Sequence, residues 1–388
     1  MPVEVCKVCG ERKFLSRALG VCVDCIRERS WEALRYTEEG HREARRKYGL
    51  PESPPRGDGG VKCALCANEC SLAEGEVGYC GLRWNENGRI VDLATAERAI
   101  LYAYKDPHIT NCCSAWICPA IGLGYPKYAV SPGPEYGYYN LAVFFYGCNF
   151  NCLFCQNYEH KEISHGPIVK REDLVERTVS DRSITCICFF GGSPEPSFPF
   201  AIAYSEEVLE RCRDRVMRIC WEWNGCGNEK LALKAAELSF VSGGNVKFDL
   251  KCYTEALCRA LCGVSNKRAF ENFKAIYKKF YEDRKEVPVL TATTLLVPGY
   301  VDAYEVERIA AFIADLNPEI PYSLLIFHPQ FKMRDLPITP SSQVFECYLA
   351  AKKHLERVHV GNLHLIGISS MEVFEELAKK YARGMEAF

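Results

Sequence analysis

The chain has 388 residues, 48% of them hydrophobic and 25% charged, with a formal net charge of −2. That balance describes an ordinary soluble globular protein and gives no electrostatic case for binding nucleic acid or an anionic membrane. The start, MPVEVCKVCG, shows no export signal, and no apolar run reaches the ~18–20 residues that span a bilayer, so a cytoplasmic protein is expected.

Cysteine breaks the ordinary pattern. There are 23 thiols, many at two- and three-residue gaps that suit metal ligation in a reducing compartment better than disulfide pairing. The first unit, 1–50, carries Cys6 and Cys9 in CKVCG, then Cys22 and Cys25 in CVDC. Two CxxC turns at this separation predict a closed tetrahedral zinc site. The charged segment RERSWEALRYTEEGHREARRKYG reads as a surface helix, and residues 51–62, with PESPPRGDGG, as a linker. A second block, in a cysteine-rich region over 63–139, offers Cys63, Cys66, Cys70 and Cys80, four ligands for zinc or an auxiliary iron–sulfur cluster. The Tyr-, Gly- and Pro-rich insert 101–140 adds Cys112, Cys113 and Cys118, with no evident fourth partner. They are buried structural thiols or functional ones, and the sequence leaves both open.

From 140 to 330, strand-like runs alternate with helical ones. LAVFFYGC, TCICFFGG, RICWEWNG, NVKFDLK, VPVLTATTLLVPG and YSLLIFHP are separated by segments such as FAIAYSEEVLERCRDRV and AYEVERIAAFIADL. The pattern predicts an α/β fold, a partial (β/α)6 TIM-like barrel, with chemistry at the carboxyl ends of its strands. Two helices, 341–357 and 369–385, are expected in a C-terminal extension over 331–388. Cys258 and Cys262, four apart on a helix, read as a buried stripe.

The stretch GCNFNCLFCQN places Cys148, Cys152 and Cys155 in eight residues. Three thiolates on a strand-to-loop turn can hold three irons of a 4Fe–4S cluster and leave the fourth open, the mark of a catalytic metal centre. With Phe154 before the last cysteine, this spacing resembles the signature of radical S-adenosylmethionine (SAM) enzymes. The resemblance implies SAM chelated at the open iron and cleaved to a 5′-deoxyadenosyl radical. FFGGSPEP is similar to the segment that meets the SAM amino group, which implies roles for Gly191, Gly192 and Glu195. WEWNG would bring Glu222 and Asn224 to the ribose. DLK resembles the activating enzymes of glycyl-radical proteins, such as the pyruvate formate-lyase activase, and implies that Asp249 faces a polar or cation site and Lys251 the SAM carboxylate. LLVPGY, with Pro298, resembles the loop flanking adenine. GYCGLR and the FHP turn holding His328 are similar to the AmmeMemoRadiSam-type branch.

The branch implies a protein or peptide substrate modified at an α-carbon, and a low-potential electron donor such as ferredoxin or flavodoxin. The chain also looks similar to the cobalamin-dependent enzymes that methylate a glutamine of methyl-coenzyme M reductase. Cobalamin is therefore expected, against the Tyr-rich insert (Tyr136, Tyr138, Tyr139) and the C-terminal helices, although DPHITN only echoes a cobalamin box. The alternatives are an activase-like or other peptide modifier without cobalamin, and a zinc-organised interaction protein with a degenerate barrel.

Overall fold

The computed structural model describes residues 3–385. Its centre is a nine-stranded sheet: β1 (Arg98–Pro107), β2 (Tyr139–Phe145), β3 (Ile168–Lys170), β4 (Ile184–Phe190), β5 (Arg218–Trp223), β6 (Val246–Asp249), β7 (Leu290–Leu296), β8 (Tyr322–Ile326) and β9 (Val358–Gly361). The spatial order is β9-β8-β7-β6-β5-β4-β2-β1-β3. β2 and β4 to β9 run parallel, while β1 pairs antiparallel with β2 and β3. β9 and β3 form the two edges, so the barrel is open. The parallel run is one strand longer than the six expected. The predicted 341–357 helix stops at Lys352, and β9 follows in the segment expected to join the two C-terminal helices. β1 lies inside the region expected to be cap and insert.

Helices cover the outer face: α1 (Val23–Glu28) and α2 (Ser30–Arg46) in front, then α3 (Arg171–Ser180), α4 (Phe198–Arg211), α5 (Glu229–Ser242), α6 (Glu255–Cys262), α7 (Lys267–Ile276), α8 (Ala303–Ala314), α9 (Ser341–Lys352) and α10 (Met371–Met385). Strand alternation sorts the two sheet faces. Phe189 and Trp221 stack at 4.5 Å, and Phe198 of α4 meets Trp221 and Trp223 edge-on. The alternate residues Cys186, Cys188, Phe190 and Cys220 form a separate small cluster on the lumen side. Strands buried on both faces explain why TCICFF and LTATTLL read as continuous apolar runs. Cys258 and Cys262 are fully buried on α6, as a core stripe requires.

The insert after β1 closes the floor of the barrel. Ser114 Oγ lies 2.9 Å from Thr291 Oγ1, Trp116 Nε1 donates to Ser323 Oγ at 3.0 Å, and the Trp116 ring stacks on His359. Glu135 forms a fully buried ion pair with Arg218 at 2.6 Å. Arg218 also donates to the Tyr128 carbonyl, so the insert is stitched to β5 at two points.

The front unit docks on the far strand ends. Asp335 accepts from Ser16 Oγ at 2.9 Å and from Arg17 N at 2.7 Å, and Arg27 pairs with Asp302 and Glu305. Tyr300, in LLVPGY, accepts from Ser16 N and donates to the Val21 carbonyl. Among the described residues no helix is long and apolar enough to cross a membrane.

Candidate active site

The loop after β2 carries the three cysteines, and neighbouring backbone fixes its shape. Asn151 N donates to the Cys262 carbonyl at 2.9 Å and Leu153 N to Leu261 at 3.0 Å, which ties the loop to the end of α6. Asn151 sits at its centre: its amide meets His41 Nδ1 at 3.0 Å and its oxygen accepts from the buried Lys161 ammonium at 2.8 Å. His41 Nε2 in turn meets the Ala260 carbonyl at 2.9 Å. Donation from Nε2 and acceptance at Nδ1 require a neutral imidazole, and burial lowers the His41 pKa to about 4.

Cys148, Cys152 and Cys155 open onto a pocket of about 200 Å³ at the carboxyl ends of the strands. Phe190, Glu222, Asp249, Leu295 and Leu325 bring β4 to β8 to the same wall, and Gly191, Gly192, Asn224, Lys251 and Phe154 join them. Gly191 and Gly192 both have positive φ. A Cβ on Gly192 would lie 2.4 Å from the Gly147 and Phe145 carbonyls, so only glycine lets this turn press against the cysteine loop.

A web of amides couples the strand ends. Asn224 Nδ2 donates to Asn149 Oδ1 at 2.7 Å and to Ser193 Oγ at 3.0 Å, and Asn149 also donates to the Cys226 carbonyl. Lys251 pairs with Asp249 and lies over the Phe154 ring at 5.5 Å. Burial works against the Lys251 charge, but Asp249 and Cys152 outweigh it and hold its pKa well above the ordinary range. Burial pushes the Cys148 thiol up, and Cys155 up to about 11. Such thiols stay protonated until a metal displaces the proton.

The residues present fit a cluster with a polar ligand beside it. Three sulfurs face one cavity, and three buried polar atoms of lining residues have no partner among the described residues: Asp249 Oδ1, His160 Nδ1 and Trp223 Nε1. Unpaired buried polar atoms carry a desolvation cost that a ligand can relieve.

Three of the expected contacts are not on this wall. Glu195 is fully buried behind the glycine turn, where it accepts from Ser193 and from Gly225 N at 2.8 Å. It shapes the turn from below, because the 310 turn that begins at Glu195 points its carboxylate inward. Pro298 is buried in a loop whose next residues pack on the front unit, where Gly299 approaches Phe14. His328 lies half-buried outside the pocket lining. Sequence reasoning missed Ser193, His160 and Asn362 on the wall. Ser193 and His160 lie within a few residues of motifs already singled out; Asn362 follows the strand that was not predicted.

The front cysteines converge. The sulfurs of Cys6, Cys9, Cys22 and Cys25 lie within 4.8 Å of one another, and Cys6 and Cys25 are 3.8 Å apart. A tetrahedral ion with bonds of ~2.3 Å to sulfur needs edges of ~3.8 Å. Burial opposes ionisation of Cys6, but the Cys9 and Cys22 N–H groups outweigh it and bring the thiol down to about 6. This set could hold a metal ion. The second block behaves differently: no three sulfurs of Cys63, Cys66, Cys70 and Cys80 share that spacing. Arg83 Nη1 instead lies 3.4 Å from Cys80 Sγ, and the block pins itself to the strand ends through Asn68, which donates to the Asn149 carbonyl, and Ala67 N, which donates to Cys226. The single-ion form of the expectation for 63–80 does not match this geometry.

Residues 142–313 match the family model of the Radical SAM superfamily. An uncharacterized protein of Methanocaldococcus jannaschii is 27% identical over 320 residues, 79% of this chain and 82% of that one. The pyruvate formate-lyase 1-activating enzyme of Escherichia coli K12 is 28% identical over 192 residues, 48% of this chain and 73% of the relative. Among solved structures, Streptococcus suis SuiB bound to its precursor peptide SuiA superposes with a TM-score of 0.42 at 14% identity. That match covers 56% of this chain and 47% of SuiB. The chain carries a radical SAM domain and is homologous to the pyruvate formate-lyase activating enzyme. That radical SAM domain implies a 4Fe–4S cluster and SAM as cofactors.

Proposed function

We propose that Cys148, Cys152 and Cys155 hold the cluster, and that the chain takes a hydrogen atom from an α-carbon of a peptide or protein. The carrying observation is the meeting of the three-cysteine loop with Asn224, Asp249 and Lys251 on one cavity wall at the strand ends. When bound, the cluster and SAM supply one-electron cleavage of the sulfonium and a carbon-centred radical. The protein's own residues bind and orient. Lys251 offers an ammonium to a carboxylate, the free Asp249 Oδ1 accepts from an amine or hydroxyl, and the Gly191–Gly192 turn permits close backbone approach. Phe190, Leu295 and Leu325 keep water from the reacting centre.

Relation to an activating enzyme supports a polypeptide substrate, and a low-potential donor such as ferredoxin or flavodoxin supplies the electron. The front cysteines fit zinc, which locks the unit bearing His41. Cobalamin-dependent methylation of a glutamine in methyl-coenzyme M reductase, the finer expectation, finds no support in the site. The insert expected to shelve the corrinoid is threaded into the barrel floor, and Tyr136 is 74% exposed.

The test is anaerobic reconstitution with iron and sulfide, then reduction with SAM present. Formation of 5′-deoxyadenosine is expected, with deuterium entering it from a substrate peptide labelled at Cα. Unlabelled 5′-deoxyadenosine from every labelled peptide that binds and is modified would refute α-carbon abstraction.

A further inference from the structure

Beneath the pocket, the barrel lumen holds a second group of metal-ligating side chains, of which Cys112 and Cys113 lie outside the SAM pocket lining. The insert lays Cys112 and Cys113 against β5, where their sulfurs and a Glu222 carboxylate oxygen all lie within 4.8 Å of one another. Among the described residues only the front zinc-type set shares that convergence. The pairing is held from outside the group: Ser323 Oγ donates to the Cys113 carbonyl at 2.7 Å, and Ser114 is fixed to Thr291. Loop mobility therefore does not account for it.

The charges also fit. Lys247 on β6 is nearly fully buried, with its ammonium 3.1 Å from Cys112 Sγ, 3.1 Å from Cys188 Sγ and 3.7 Å from Glu222. Two thiolates and a carboxylate bring three negative charges, which one divalent ion and the Lys247 ammonium cancel. Buried charge is tolerated only when so matched. A cavity of about 30 Å³ adjoins the group, lined by Cys112, Cys188, Cys220 and Lys247. Glu222 faces the SAM pocket as well.

We propose that Cys112, Cys113 and Glu222 bind one thiophilic divalent cation of the zinc class, with its fourth coordination position toward the SAM pocket. Two sulfurs and one carboxylate oxygen are a zinc-type donor set, and three protein ligands leave the position that a catalytic or substrate-binding ion keeps open. The site joins the insert to β5, and it stands whether or not the chain abstracts hydrogen from a peptide.

The experiment uses the full chain, purified without oxygen, loaded with Zn2+ and freed of excess. Metal analysis is expected to show one zinc fewer in Cys112→Ser/Cys113→Ser than in the wild type, with iron content and front-site zinc unchanged. Glu222→Gln should weaken zinc retention about tenfold or more. Since the double variant could loosen the insert, the wild type is also footprinted by thiol alkylation with Zn2+ alone and after chelation. Protection of Cys112 and Cys113 by zinc, lost on chelation, is expected. Equal zinc in wild type and variant, equal alkylation with and without zinc, or a Cys112–Cys113 disulfide in the anaerobic protein would overturn the assignment.

Discussion

His41 of the front helix and Asn151 of the three-cysteine loop are joined by a buried hydrogen bond of 3.0 Å. Through it, a unit near the start of the chain supports a loop more than 100 residues later. Replacing His41 with alanine leaves the Asn151 amide only the residue-41 carbonyl at 3.2 Å, strands its other N–H in a buried site and opens a cavity, for a loss of about 2–4 kcal/mol. Urea denaturation of the full chain measures it, and the iron content of the variant should fall as well. An unchanged midpoint would show that the contact supports nothing.

The same histidine gives a pH dependence. Its folded pKa lies near 4, below the ordinary 6.5, so on acidification the unfolded chain takes up this proton first. The His41 contribution is therefore complete above pH 6.5, declines as pH falls toward 4, and is gone below. The stability deficit of His41→Asn relative to wild type should shrink by about 2 kcal/mol between pH 7 and pH 5. Using the difference cancels the opposite trend of buried Glu195, whose pKa burial raises to about 7. A deficit that grows on acidification would contradict the neutral assignment.

Arg218 and Glu135 are both fully buried and pair at 2.6 Å. Glu135→Ala leaves an uncompensated guanidinium in the barrel floor and should cost about 3–5 kcal/mol. Glu135→Gln, which keeps the shape and one acceptor, should cost less. Thermal unfolding of the two variants separates the effects, and equal losses would mean that packing rather than charge holds the insert.

Lys251 and Asp249 test the proposed SAM contacts. Lys251→Met keeps an unbranched side chain and removes the charge that lies over the Phe154 ring, so the dissociation constant of SAM should rise about tenfold or more, ~1.4 kcal/mol at least. Equilibrium binding to the reconstituted protein reads it directly. Unchanged affinity would place the SAM carboxylate elsewhere.

Much of this architecture was readable because strand ends and special residues coincide. Cys148, Gly191, Asn224 and Asp249 each follow or end an apolar run, and the fold brings them to one pocket. A carboxylate beside two glycines looks like a ligand contact in sequence, and only the fold shows the 310 turn that buries Glu195 against Ser193 and Gly225. The second cysteine block shares the composition of a metal knuckle, yet Arg83 and strand-end contacts use it as a brace. The strand Val358–Gly361 escaped because four residues between helical segments carry little periodicity. The lumen set was hidden for a different reason. Cys112 and Glu222 are 110 residues apart, and only the insert's path through the floor joins them.

The most direct measurement is on Cys152→Ala, reconstituted without oxygen beside the wild type. The variant is expected to lose the iron–sulfur chromophore and to produce no 5′-deoxyadenosine on reduction with SAM. A variant that kept its full iron content and still cleaved SAM would contradict this expectation.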